Sequence, residues 1–245
     1  MKYIVILGDG MADEPLAELG GRTPLEFART PHMDRIAREG TMGRLRTIPE
    51  GYEAGSDIAN LGILGYDPRS CYTARGPLEA ASMGIDLAPE DIAYRCNLVT
   101  IREGVMADFS AGHISSGEGK RLFATLSEHL PTVPLYPGIS YRNILVVRGG
   151  KGAKTYPPHD IVGEQVDPYL PAGMDAGVLL ESMEKSRNVF SDHPVNLARI
   201  ARELPPATQI WPWSGGKKPI LTPFRSLFGK EGGVISAVDL LQGIA

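Results

Sequence analysis

The stretch Tyr3-Ile4-Val5-Ile6-Leu7-Gly8-Asp9-Gly10 decides how the rest of the chain is read. An unbroken apolar, β-branched run ends at an aspartate flanked by glycines. Such a run is what a strand buried on both faces looks like, as in a parallel sheet covered by helices. Thr30-Pro31 then opens a helix, because threonine can cap it and proline suits the first helical position. Met33, Ile36 and Ala37 give that helix an apolar stripe, and Gly40 supplies its stop. Strand, loop and helix in this order predict an α/β fold.

Working outward, residues 41–76 are rich in glycine and short of long periodic elements, which reads as a loop-built site. Strand-like runs follow at 93–101, 105–109 and 143–148. Between the last two, Leu122, Phe123, Leu126 and Leu130 fall at helical spacing within 117–130. That order predicts a compact α+β unit inserted into the first fold. Residues 157–171 are proline-rich and turn-like, and further helices are expected at 177–190 and 194–203. Residues 233–238 read as a buried strand leading into a helix start. The chain ends a few residues later, so it reads as part of something longer.

Composition bounds the partners. Of 245 residues, 42% are hydrophobic and 22% charged, as in an ordinary soluble protein, and the net charge of −4 argues against nucleic acid. A small anionic substrate fits, since local arginines and lysines decide that binding. Cys71 and Cys96 match no metal-ligand spacing and no disulfide framework. The apolar run at the N-terminus is too short for a signal peptide, and no stretch approaches a membrane span. A cytoplasmic protein with no membrane partner is expected.

Several residues can carry chemistry. Asp9 stands at the carboxyl end of the first expected strand, where open α/β sheets place ligands; it reads as a metal ligand or as a plain Asp-Gly turn. Ser56, in Gly55-Ser56-Asp57 with Ile58, Ala59 and Leu61 behind it, would open a short helix whose free N–H groups favour phosphate. A metal on its oxygen would activate it as a nucleophile, although serine is also a common N-cap. His113 follows a strand end and can reach a phosphate or lie in solvent. His159-Asp160 follows the stiff Pro157-Pro158 turn. His32, His129 and His193 read as structural or surface residues, and Arg75, Arg142, Arg199 and Arg202 as scattered candidates for anion clamps.

In order along the chain, Gly8-Asp9-Gly10, Thr30-Pro31-His32-Met33-Asp34 and Gly55-Ser56-Asp57 resemble the alkaline-phosphatase-like superfamily. With Asp108-Phe109-Ser110-Ala111-Gly112, Ser140-Tyr141-Arg142, Pro158-His159-Asp160, Ile210-Trp211 and residues 234–243, the chain is similar to the archaeal-type branch of cofactor-independent phosphoglycerate mutases. The resemblance implies a parallel-sheet core, incomplete here, over residues 1–75 and 206–245, with a substrate-binding α+β domain inserted at 76–205. It implies interconversion of 2- and 3-phosphoglycerate through a phosphoserine enzyme with two divalent metal ions (Mn2+, Mg2+, Co2+ or Zn2+). Ser56 would be the nucleophile, Asp9 and Ser56 would ligate one metal, and His113, Arg142, His159 and Asp160 would hold the substrate.

The resemblance also implies an Asp-x-x-x-His motif, an Asp-His pair and a later histidine in the C-terminal part, and none of these is read after Ser56. Asparagine and glycine are implied where Thr208 and Ser214 stand. The chain is therefore expected to be an incomplete part of such an enzyme, its C-terminal remainder being the missing partner. A metal-dependent phosphatase of the same superfamily and an inactive, truncated binding module are the competing readings.

Overall fold

The computed structural model describes residues 2–52, 55–236 and 239–244. It divides into two units, Met1–Arg46 and Thr47–Ala245. In the first unit, a capping box in which Thr23 and Glu26 bond each other's backbone N–H opens α1 (Pro24–Phe27). Helix α2 (Pro31–Glu39) begins at the expected proline and stops at Gly40, but the Thr30 hydroxyl bonds the Asp34 carboxylate instead of capping a backbone N–H. No described residue of this unit is buried.

Residues 3–7 are not a strand, which corrects the expectation they raised. Ile4 is 84% and Ile6 89% exposed, and no described segment pairs with them. A strand is a pairing of backbone N–H and C=O groups with a neighbour; an apolar run fixes faces and cannot supply the neighbour. Residues 233–236, expected to begin a strand, belong to no strand among the described residues, and 237–238 lie outside them.

The second unit opens with α3 (Ser56–Ile63), the short helix expected at Ser56, and, where a loop was expected, with α4 (Pro68–Cys71) and the start of α5 (Arg75–Ser82). They are too brief to show a clear period in sequence; α4 is marked by its cap and proline, Asp67 bonding the Arg69 N–H ahead of Pro68. The sheet follows. Its axis is β1 (Ile92–Arg102), which turns into β2 (Val105–Asp108). After α6 (Ser116–His129) come β3 (Leu135–Tyr136) and β4 (Arg142–Val147), and β4 pairs along β1 from Ile92↔Val147 to Asn97↔Arg142. A small ribbon of β5 (Ala153–Lys154) and β6 (Ala172–Gly173) precedes α7 (Ala176–Ser191) and α8 (Pro194–Ile200).

The strand β7 (Gln209–Gly216) was not foreseen, because Pro212 and its glycines argue against one. It pairs with β1 alone, and an edge strand tolerates proline. Helices α9 (Phe224–Phe228) and α10 (Asp239–Gln242) complete the described chain. Every ladder among the described residues is antiparallel. The sheet is antiparallel with helices beside it, and the chain is a mixed α/β structure. The expected parallel sheet is not formed among the described residues.

Both faces of β1 are covered, so its residues are buried from Ile92 to Thr100, including Arg95 and Asn97, which alternate with Tyr94, Cys96 and Leu98. Tyr94, Cys96 and Leu98 pack with Leu122, Phe123 and Leu126 of α6, with Leu179 and Phe190 of α7, and with Ile210 and Trp211 of β7. On the other face Ala93 packs with Ala80 of α5 and with Ile144 and Val146 of β4. Helix α5 comes so near that any side chain at Gly76 would strike the Ala93 carbonyl. Cys71 and Cys96 are free and buried, and burial pushes the Cys96 thiol far up. No helix among the described residues is long and apolar enough to cross a membrane.

Candidate active site

Ser56 is the first residue of α3, and Gly55 before it is extended. Ile58 and Leu61 bury the helix, and the Asn60 amide donates to the Ser56 carbonyl at 2.7 Å. The next residue, Asp57, is buried. Its carboxylate accepts from the Tyr72 hydroxyl and from Arg75 Nε at 3.2 Å. Arg75 Nη2 lies only 3.0 Å from where a Cβ on Gly55 would stand, so the guanidinium rests against the backbone leading into Ser56. Burial and the bond to Asp57 push the Tyr72 phenol up, which keeps it a donor.

A second group of side chains forms a cluster of rings and cations. Phe109, just beyond β2, stands edge-on to His113, Tyr141 and His159, with centroids 6.5, 5.7 and 6.0 Å away. His113 also meets Tyr141, and His159 meets Trp213 of β7 at 5.2 Å. Arg95 lies over the Trp213 ring at 4.4 Å and pairs with Glu79 of α5 at 2.9 Å; Arg142 lies over Tyr141. Asn97 ties the group together, accepting from the Trp213 indole N–H and donating to the Phe109 carbonyl. Asp160 stands 3.6 Å from His159 Nε2.

Arg75 links the two groups. Its backbone N–H donates to Ser214 Oγ, one residue beyond Trp213. Burial lowers the His159 pKa; Asp160 opposes this, and the charges of Arg95 and Arg75 lower it further. Burial also lowers the pKa of Arg95, against the pull of Glu79 and with that of Arg75 and Arg142. Three guanidiniums therefore share one region, Arg75 paired with Asp57 and Arg95 with Glu79. A fixed cationic region walled by rings is suited to a small anion bearing more than one charged group.

Backbone strain collects at the same places. Ala111, Gly112 and His113 have φ of 48°, 62° and 50°, Ser140 before Tyr141 has 58°, and Ser214 after Trp213 has 48°. Non-glycine residues rarely hold this conformation unless their surroundings enforce it. Ser214 is the position where glycine was implied by resemblance.

The structure thus brings His113, Arg142, His159 and Asp160 into one cluster. Asp9 lies exposed in the first unit, beyond residues 3–7. An Asp-His pair does occur after Ser56, at Asp192-His193, which corrects the reading that none is present; but His193 Nδ1 accepts the Val195 N–H at the start of α8 and Nε2 meets Thr125. No group of three or more His, Cys, Asp or Glu able to hold a metal occurs among the described residues. Sequence reasoning left Arg95 and Trp213 without a role. The visible signal for Arg95 was a charge inside a run otherwise buried on both faces, which must be paired there or used.

A family model described as 2,3-bisphosphoglycerate-independent phosphoglycerate mutase matches residues 37–196, well over half of the chain. The chain belongs to that family. A relative of that name from Methanothrix thermoacetophila is 52% identical over 244 residues, covering 100% of this chain and 62% of its own length. One from Methanosarcina barkeri is 53% identical, with 100% and 62% covered. Among solved structures, a Pyrococcus horikoshii protein superposes with a TM-score of 0.74 at 28% identity, over 96% of this chain and 57% of that one. The cofactor-independent phosphoglycerate mutase from Thermoplasma acidophilum gives 0.54 at 28% identity, over 96% and 64%. The chain therefore spans 62% of the length of the first two relatives.

Proposed function

We propose that this chain supplies the nucleophile and the substrate-holding part of an enzyme that interconverts 2- and 3-phosphoglycerate through a phosphoserine at Ser56. The observation that carries the reading is the clustering of Arg75, Arg95 and Arg142 with His113 and His159 in a ring-walled region, one arginine of which rests beside Ser56. A phosphoglycerate offers a phosphate and a carboxylate, and a guanidinium fork matches either.

Ser56 Oγ attacks phosphorus as the substrate C–O–P oxygen departs, and the proton lost from the serine hydroxyl ends on that oxygen, leaving phosphoserine and glycerate. The glycerate turns within the ring cluster and its other hydroxyl recovers the phosphoryl group. The arginines offset the charge spread over the transferring oxygens. His113 and His159 hold the glycerate end together with Arg142 and Asp160. The rings exclude water, which would otherwise hydrolyse the phosphoserine.

We further assign Asp9 and Ser56 as ligands of one of two divalent metal ions, Mn2+, Mg2+, Co2+ or Zn2+, whose role when bound would be to activate the serine and neutralise phosphoryl oxygens. Two oxygen donors fall short of the four to six or more ligands such ions take, so the described residues do not complete this site. The remaining ligands are assigned to the part of the relatives' length that this chain does not span. That part would also complete an alkaline-phosphatase-like parallel core with residues 1–75 and 206–245. The inserted domain is 76–205, and the pairing of β7 with β1 supports adding Gln209–Gly216 to it as a last strand.

The test is turnover of 3-phosphoglycerate with added manganese by the protein isolated from its own cells. The expected product is 2-phosphoglycerate, lost in a strain carrying Ser56→Ala. Release of inorganic phosphate in its place would make the protein a phosphatase. An inactive protein that still binds 3-phosphoglycerate would make it a binding module.

A further inference from the structure

The turn that carries His113 is held from outside the ring cluster. Ala111, Gly112 and His113 follow one another in the left-handed region, and such a run persists only where its surroundings over-determine it. Part of the hold is local. The Asp108 carboxylate accepts from the Ser110 N–H and hydroxyl at 2.7 Å, and Ser110 Oγ accepts the His113 N–H at 3.0 Å. The rest comes from Arg199 of α8, far along the chain and only 2% exposed. Its Nη2 donates to the Ala111 carbonyl at 2.6 Å, its Nε to the Pro205 carbonyl at 2.9 Å and its Nη1 to Glu118 at 2.9 Å. The Pro205 ring in turn lies against Gly112, where a Cβ would come within 2.8 Å of it. Glu118 is fixed by its capping box with Ser115 at the start of α6.

We infer that Arg199 is a positioning residue for His113: its fork clamps the Ala111 carbonyl between α6 and α8, and so sets where the imidazole stands beside Phe109 and Tyr141. A lysine cannot replace it, because a single ammonium on a flexible stem does not reproduce three bonds in one fixed plane. That His113 then faces a phosphoglycerate rests on the proposed function. The position of its ring does not.

The experiment is a proton–carbon spectrum of the histidine rings in this chain and in Arg199→Lys. His113 lies edge-on to Phe109 and Tyr141, so its ring signals carry their ring currents. His159, between Phe109 and Trp213, serves as reference for an intact cluster. In Arg199→Lys the His113 signal is expected to move towards that of a solvated histidine while His159 stays. A folded Arg199→Lys protein with His113 unmoved would overturn the inference. Should Arg199→Lys not fold, Ala111→Gly is added to remove the left-handed penalty. Recovery of the fold is expected, and failure to recover would mean that Arg199 holds the whole domain and not the turn.

Titration with 3-phosphoglycerate adds a second readout. Arg199→Lys is expected to weaken binding about tenfold, and to have no effect on binding in a His113→Ala background, since contacting residues couple. Equal losses in both backgrounds would contradict positioning through His113. Absence of binding by the unaltered chain would sink the substrate reading, while the His113 signal would still decide the role of Arg199.

Discussion

Two strand-like runs in this chain end differently. Residues 3–7 lie open, with Ile4 and Ile6 almost fully exposed, whereas in β1 every residue from Ile92 to Thr100 is buried. The difference is in the neighbours. Strand β1 has β4, β7 and β2 along it and helices against both faces. Residues 3–7 have no pairing partner among the described residues. Apolar sequence creates a demand for burial; only a second segment at the right place meets it.

The comparison can be broken most sharply by placing a charge in each run. Leu98→Asp would bury an unpaired carboxylate and is expected to unfold the second unit, a loss of several kcal/mol. Ile6→Asp in this chain should shift stability by no more than about 0.5 kcal/mol, as at other open surface positions. Chemical denaturation followed by far-UV circular dichroism reads both. Equal losses would mean that residues 3–7 are packed after all.

The charge already present in the buried run gives the next largest effect. Arg95 sits between Tyr94 and Cys96 and is held by Glu79 and Trp213. Arg95→Lys should weaken 3-phosphoglycerate binding by about 1.5–3 kcal/mol, the range for a lost bond to a charged group, with calorimetry as the measurement. Unchanged affinity would reduce Arg95 to a structural ion pair.

These two runs also mark what was legible beforehand. Helix α6 showed itself through Leu122, Phe123 and Leu126, and β1 through its strand-like run at 93–101. Strand β7 did not, because Pro212, Gly215 and Gly216 are punctuation in sequence and become acceptable only at an edge beside β1. The site divides the same way. Ser56, His113 and His159 stand beside glycines or prolines that mark them. Arg95 and Trp213 lie inside strands, and nothing local says that a ladder will bring them to His159. Tyr72 and Arg75 acquire meaning only when the end of α4 and the start of α5 set them against Asp57 of α3.

A smaller effect is expected at the turn before Ile114. Gly112→Ala combines a left-handed φ with a close approach to Pro205, and should cost about 1–3 kcal/mol. Thermal denaturation would register it, and a loss smaller than that of Gly117→Ala, whose surroundings are open, would contradict the strained turn.

The smallest effect is a titration. Burial, aided by Arg95 and Arg75 against Asp160, holds His159 below its ordinary pKa. Its folded form therefore favours the neutral ring, so the stability it contributes is present above about pH 6.5 and falls away as pH drops through the lowered value. Ring signals followed against pH should give a midpoint below 6.5, moving upward when 3-phosphoglycerate binds, because a bound dianion favours the charged ring. A midpoint that ignores the ligand would separate His159 from the anion.

The claim that Ser56 carries the phosphoryl group is tested most directly by tandem mass spectrometry of the protein isolated from its own cells, quenched in acid during turnover of 3-phosphoglycerate. The account predicts a phosphate on Ser56 in a fraction of the molecules, absent when substrate is withheld. Turnover to 2-phosphoglycerate with Ser56 unmodified, or with the phosphate on another residue, would contradict it.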